Sequence, residues 1–384
     1  MTSPVETVRR WQDEFTAIRR DIHAHPELGL EEYRTADLVA AKLAEWGIEV
    51  HRGVGKTGVV GVLRQGNGHG RVGLRADMDA LAMTEVNGFA HASTIPGRMH
   101  ACGHDGHTTM LLATAKYLAE TRNFSGTVHL IFQPGEEGAG GALAMLEDGL
   151  FERFPCDAVF GLHNRPGLPV GQYGLRAGPM MAGVAFFDIL VQGKGGHGAR
   201  PEATVDPVVA GSAVVQALQS VVSRNVAATD RAVLSVTRFD AGQAYNVIPD
   251  SVRLGGTVRA FSNATMKLVE DRMRAIAESV AAGFGGSASL DFRVITSPLV
   301  NDPGETRALA DAAAGFGPVN TDFPAVMGGE DFAYMLEKVP GAYMVVGNGD
   351  SAEVHHPRFD FNDEAIPFGA GALAALVEAK LPRE

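Results

Sequence analysis

Apolar and polar positions follow two different rhythms along this chain. Over the first 181 residues, short apolar runs alternate with longer stretches of helical spacing. "GVVGVLRQG", "RVGLRADMDAL", "TVHLIFQPGEEG" and "DAVFGLHN" read as strands, the third stopping at a Pro-Gly turn. "DGHTTMLLATAKYLAE" reads as a helix with Asp105 as its cap, "GALAMLEDGLF" as another helix, and "MTSPVETVRRWQDEFTAIRR" as an amphipathic N-terminal helix. Strands alternating with helices predict an α/β domain with a largely parallel sheet covered by helices on both faces.

From Ala182 the order changes. "GVAFFDILVQGKG", "AVLSVTRFDAG", "DSVRLGGTVRAF" and "ASLDFRVI" read as strands, with helices "DPVVAGSAVVQALQSVVSR" and "ATMKLVEDRMRAIAESVAAGF" between them. The resulting order, β-α-β-β-α-β, is ferredoxin-like. "GAYMVVGNG" and "AIPFGAGALAALVEAKL" then resume the first pattern. We expect one domain made of residues 1–181 and 296–384, with a ferredoxin-like α+β domain inserted at 182–295. The apolar helix over 206–224 and the edge of the inserted sheet offer a self-complementary surface, so a homodimer is expected.

Composition narrows the function. A chain of 384 residues exceeds what one hydrophobic core organises well, in keeping with two domains. Its formal net charge of -12 disfavours nucleic acid and anionic membrane as partners and points to a small molecule. No apolar run reaches membrane-spanning length, and two cysteines are too few for a disulfide framework. The expected location is cytoplasmic.

The chemistry gathers at strand ends. "MHACGHDGH" packs a cysteine, three histidines and an aspartate into nine positions just before a helix. "GEE" follows one predicted strand and His163 sits at the end of another. In an open α/β sheet the carboxyl edge is where ligands collect, so Cys102, His104, Glu136, Glu137, His163 and the pair His355 and His356 are expected to converge. Thiolate, imidazole and carboxylate suit Zn, Mn, Co or Ni, and the set is larger than one tetrahedral ion needs. Two ions sharing a bridging ligand would use it, with Cys102 a candidate bridge. Of the adjacent glutamates, one can ligate while the other stays free as a general base.

These residues carry a resemblance. "RRDIHAHPELGLEE", "RADMDAL", "HACGHDGHT", "FQPGEEGAGGA", "GLHN", "GKGGHGARP", "NVIPD", "GTVRAF", "GGEDFA" and "HHPRFDFND" together resemble the hippurate hydrolase and indole-acetyl-amino-acid hydrolase branch of the two-metal aminoacylase/carboxypeptidase family. The resemblance implies a catalytic α/β domain, a dimerising lid and hydrolysis of the amide in N-acyl amino acids. It implies Cys102, His104, Glu137, His163 and His356 as ligands of two divalent ions, with Glu136 as the base acting on metal-activated water. It also implies that His197 steadies the oxyanion from the partner subunit, and that Asn246 and Arg259 grip the substrate. Carboxypeptidase relatives differ in carrying a ligand His before an Asp where this chain has "RAD", which leaves Asp77 and Asp79 as supporting groups. Carboxypeptidase, dipeptidase or N-acetyl-diaminopimelate deacetylase activity would use the same residues. A cysteine-nucleophile amidase built on Cys102, or a non-catalytic binder of amino-acid conjugates, are rival classes.

Most of the remaining histidines carry bland roles, with His100 left unassigned. His107 and Asp105 are expected to orient the helix start, and His23 and His25 to be structural. "GVGKTG" lacks the glycine spacing of a phosphate loop.

Overall fold

The computed structural model describes residues 3–383; Met1, Thr2 and Glu384, which the expected N-terminal helix and domain bounds include, lie outside the described residues. The chain divides into two compact units. One comprises Met1–Gly178, Val300–Pro324 and Asp331–Glu384, the other Pro179–Leu299 and Ala325–Glu330.

The larger unit is built on an eight-stranded sheet. Four parallel neighbours form its middle: Gly126–Gln133, Arg71–Asp77, Ala158–Pro166 and Gly341–Gly349. Glu49–Val54 and Gly58–Gln65 extend one side antiparallel, and Tyr173–Gly174 turns antiparallel on the other before Val319–Asn320. Every residue from Val128 to Gln133 is buried, so both faces of this strand are covered, as its unbroken apolar run requires. The parallel arrangement puts the carboxyl ends of all four middle strands at one edge, which is where the chemistry-bearing residues lie.

The helix His104–Thr121 leaves that edge and packs against Ile366–Lys380 and Gln12–Ala24. Its cap is Gly103 at φ +96°, not Asp105. A Cβ there would stand 2.2 Å from Asn164 Oδ1, so only glycine lets the chain enter this helix so close to the neighbouring strand. Asp105 turns inward instead and takes His23 Nδ1–H at 2.8 Å. The N-terminal region is two helices, Pro4–Arg9 and Gln12–Ala24, the first capped reciprocally by Ser3 and Glu6.

The smaller unit is an antiparallel four-stranded sheet in the order Ala232–Asp240, Ser251–Ala260, Gly183–Gln192, Ser287–Thr296. With helices Pro207–Ser220 and Asn263–Gly283 this is the ferredoxin-like arrangement. Phe187, Ile189, Val191, Val252 and Leu254 alternate inward to meet Val214, Leu218, Val269 and Met273. Asp206 and Ser262 cap the two helices, and Val221–Asn225 widens to a π turn where the sequence pattern continues the helix. Among the described residues no helix is long and apolar enough to cross a membrane.

Candidate metal centre

At the carboxyl edge of the large sheet, groups far apart in sequence meet. Cys102 lies between strand Arg71–Asp77 and helix His104–Thr121, and its Sγ is 3.3 Å from Nε2 of His163 on strand Ala158–Pro166. Cys102, His104 and His163 form one set of possible ligand atoms within 4.8 Å of one another; Cys102, Glu137 and His355 form a second, and His104, Glu136 and Glu137 a third. Cys102, His104 and Glu137 each belong to two of these sets, and of the three only a thiolate or a carboxylate could face two cations at once.

Both imidazoles in the first set are aimed by their outer nitrogen. His163 Nδ1–H donates to the Asn164 carbonyl at 2.7 Å, and His104 Nδ1–H donates to Asp79 Oδ1 at 3.2 Å. Each ring thus presents Nε2 to the centre. His104 Nε2 is buried with no hydrogen-bond partner, 3.8 Å from Asp77 Oδ2 and 4.0 Å from Glu136 Oε2. A buried ring nitrogen left bare among carboxylates and a thiol is what a cation would satisfy.

The electrostatics agree. Burial opposes a charged His104, yet Asp77, Cys102 and Asp79 outweigh it and hold the imidazole well above its usual pKa. Burial pushes His163 well below its usual value, leaving a neutral ring suited to ligation. Burial, reinforced by Glu137, holds the Cys102 thiol well above its usual range. Nucleophile and metal ligand alike act as the thiolate, which in this surrounding needs a nearby cation to form. Soft, borderline and hard donors clustered around a deficit of positive charge fit divalent transition ions.

Glu136 and Glu137 lie not in extended chain but in a turn after strand Gly126–Gln133. Asp79, itself buried, fixes that turn: its Oδ1 accepts Glu136 N–H at 3.0 Å and its Oδ2 accepts Glu137 N–H at 2.9 Å. One carboxylate therefore orients the turn and His104 together. Asp331 N–H reaches Glu136 Oε1 at 3.4 Å. The sequence offered one signal for Asp79, an acidic residue just past a strand's carboxyl end.

One expected ligand is corrected. His355, not His356, joins the cluster, with Nε2 3.0 Å from Glu137 Oε1. The segment is a tight turn with His355 at φ +63°, which swings that ring toward Glu137. His356 Nδ1 instead accepts the Arg358 backbone N–H at 3.1 Å.

His107 approaches Asp77 and His104, but its Nδ1–H donates to Asp77 Oδ1 at 2.6 Å and its Nε2 accepts Asn164 N–H at 3.0 Å. It braces the first set from behind. In the smaller unit, the two-residue pairing of Gly196–His197 with Val247–Ile248 brings His197 beside Asn246, whose carbonyl accepts Gly198 N–H at 2.8 Å. His197 Nδ1 accepts Ala199 N–H at 3.1 Å, which leaves the neutral ring's proton on an exposed Nε2. Arg259 lies on strand Ser251–Ala260 with its NH1 on Thr257 Oγ1 and the Val258 carbonyl, and partial burial lowers its pKa.

A soft and hard donor cluster at the carboxyl edge of a mostly parallel sheet, in a chain that also carries a ferredoxin-like unit, is the arrangement of a protein that works through bound metal. Residues 73–379 match peptidase family M20/M25/M40, and the chain belongs to that family. It is 44% identical over 368 residues to hippurate hydrolase from Campylobacter jejuni, covering 95% of this chain and 96% of the relative. It is 42% identical over 377 residues to IAA-amino acid hydrolase ILR1-like 4 from Arabidopsis thaliana, covering 95% and 85%. Among solved structures it is similar to the Bacillus subtilis YXEP protein, described as a dinuclear metal binding peptidase, with TM-score 0.86 at 36% identity over 97% of this chain and 99% of that one. The chain is a metal-dependent amidohydrolase related to these enzymes.

Proposed function

We propose that this enzyme hydrolyses the amide bond of N-acyl amino acids, with two divalent ions of Mn, Zn, Co or Ni type held by Cys102, His104, Glu137, His163 and His355. The observation that carries the ligand set is that its groups overlap, Cys102 lying with His104 and His163 in one and with Glu137 and His355 in another. The substrate class is supported by the 44% identity to a hippurate hydrolase.

When bound, such ions supply Lewis acidity and make water acidic enough to attack at neutral pH. Glu136, on the same turn as Glu137 but outside the two sets that share Cys102, takes the attacking water's proton on a carboxylate oxygen. It then delivers that proton to the amine nitrogen as the amide bond breaks. His197 donates from Nε2 to the tetrahedral oxyanion, and Arg259 offers a planar fork to the substrate carboxylate, with Asn246 beside His197. We assign His197 to the site of a second copy in a homodimer, with a small molecule as the sole other partner and the cytoplasm as the setting. Carboxypeptidase, dipeptidase and N-acetyl-diaminopimelate deacetylase reactions would use the same groups, and a panel of N-acyl amino acids and dipeptides separates them.

The decisive variant is Glu136→Gln. It is expected to lower kcat by about 10²- to 10⁴-fold while metal content stays that of the parent. Near-normal turnover by this variant would overturn the role given to Glu136.

A further inference from the structure

We infer that Glu32 is a positioning residue for the turn that carries Glu136 and Glu137, an inference that rests on the reading of Glu136 as the base. Glu32 is fully buried, and its carboxylate ties three segments together. Oε1 accepts the N–H of Gly135 at 2.7 Å and of Leu30 at 3.0 Å, and Oε2 accepts Thr57 Oγ1–H at 2.5 Å. Thr57 itself is buried and precedes strand Gly58–Gln65, whose Val59 stands opposite Phe132 on the strand leading into the turn.

The turn needs such a hold. Gly135, Gly138 and Gly140 all have left-handed φ, at +57°, +79° and +74°. Glycines in that region reach other conformations at little cost, so the orientation of Glu136 is set by what grips the turn from outside. Asp79 grips the N–H groups of Glu136 and Glu137, and Asp331 that of Ala142. Glu32 grips the first N–H of the turn, since Pro134 has none. Its own loop is pressed on the same turn: a Cβ on Gly29 would lie 2.9 Å from Ala139 Cβ and 3.0 Å from Gly135 Cα. That loop is in turn fastened to the segment bearing Asp79, through the Ala80 N–H to Glu27 carbonyl bond of 2.8 Å. The hydrogen bonds of Glu32 go to Leu30, Thr57 and Gly135 and not to the side chains proposed as ligands or base, so it acts through Gly135.

The test compares Glu32→Ala, Glu32→Gln and Glu136→Gln in three measurements: turnover of benzoylglycine by Mn²⁺-loaded enzyme, Mn²⁺ affinity of chelator-stripped enzyme, and thermal midpoint. Glu32→Ala is expected to lose about 10- to 100-fold in kcat and to bind Mn²⁺ more weakly, with KM within about threefold of the parent. Glu32→Gln keeps an oxygen for Gly135 and an amide for Thr57, and is expected to restore kcat to within about threefold. A lowered midpoint in Glu32→Ala with kcat and Mn²⁺ affinity unchanged overturns the inference, as does a Gln variant as impaired as the Ala variant. If Glu32→Ala does not fold, Glu32→Asp, which withdraws the carboxylate by one methylene, is read the same way: intermediate loss supports the inference and unchanged kcat and affinity overturn it. Should Glu136→Gln stay active, the base assignment falls, while the Mn²⁺ affinity of the Glu32 variants still decides the present point through Glu137.

Discussion

His355 Nε2 stands 3.0 Å from Glu137 Oε1, whereas His356, one residue on, has its ring nitrogen on the backbone of Arg358. The two adjacent histidines therefore answer differently to removal. His355→Ala is expected to lose the ion shared with Glu137 and to lower kcat/KM by about 100-fold or more, while His356→Ala changes it by less than about threefold. Elemental analysis after dialysis, with kinetics on the same samples, checks this.

Asp79 accepts three hydrogen bonds, from His104 Nδ1 and from the backbones of Glu136 and Glu137. Asp79→Asn turns one acceptor into a donor facing a donor. The cost of the unpaired buried group is about 1–3 kcal/mol in stability, and kcat should fall about 10- to 100-fold. Denaturant unfolding of the metal-free variant and turnover of the loaded one measure the two effects separately.

His23 gives a pH signature. Burial opposes its cation, but Asp105, its partner at 2.8 Å, prevails and raises the pKa from 6.5 to about 9. A histidine raised on folding stabilises most below its unfolded pKa and loses that contribution as pH climbs through the folded one. The stability gap between the parent and His23→Gln is therefore expected to be widest below pH 6.5 and to shrink as pH passes about 9. Unfolding free energies at several pH values across that window report it; a gap that grows with pH is the contrary result.

Chelation separates the metal reading from a cysteine nucleophile. The Cys102 thiol is held high by burial and by Glu137, so it is a poor nucleophile without a cation. Enzyme stripped with EDTA is expected to be inactive and to recover on adding a divalent ion. Undiminished turnover in EDTA is what a thiol mechanism would give.

Much of this arrangement was legible because strand period and strand ends are legible. Apolar runs located the parallel strands, and their carboxyl edge is where Cys102, His104, Glu137 and His163 are found. What was not legible depends on backbone turns. The resemblance implies His356 of the adjacent pair, and it is the left-handed turn at His355 that brings the other ring to Glu137. Asp105 looked like a cap because acidic residues favour helix starts, but the close approach of Asn164 leaves the cap to Gly103. Asp79 and Glu32 act on backbone N–H groups of a turn distant in sequence, and no spacing encodes that.

The central claim is that Cys102 joins two ions, and titrating chelator-stripped enzyme with Co²⁺ addresses it directly through the thiolate-to-metal charge-transfer band. The account predicts a sulfur band in the parent, saturation at two ions per chain, and loss of the band with most of the activity in Cys102→Ser. Active parent enzyme that shows no sulfur band, or that turns over with no bound ion, would contradict it.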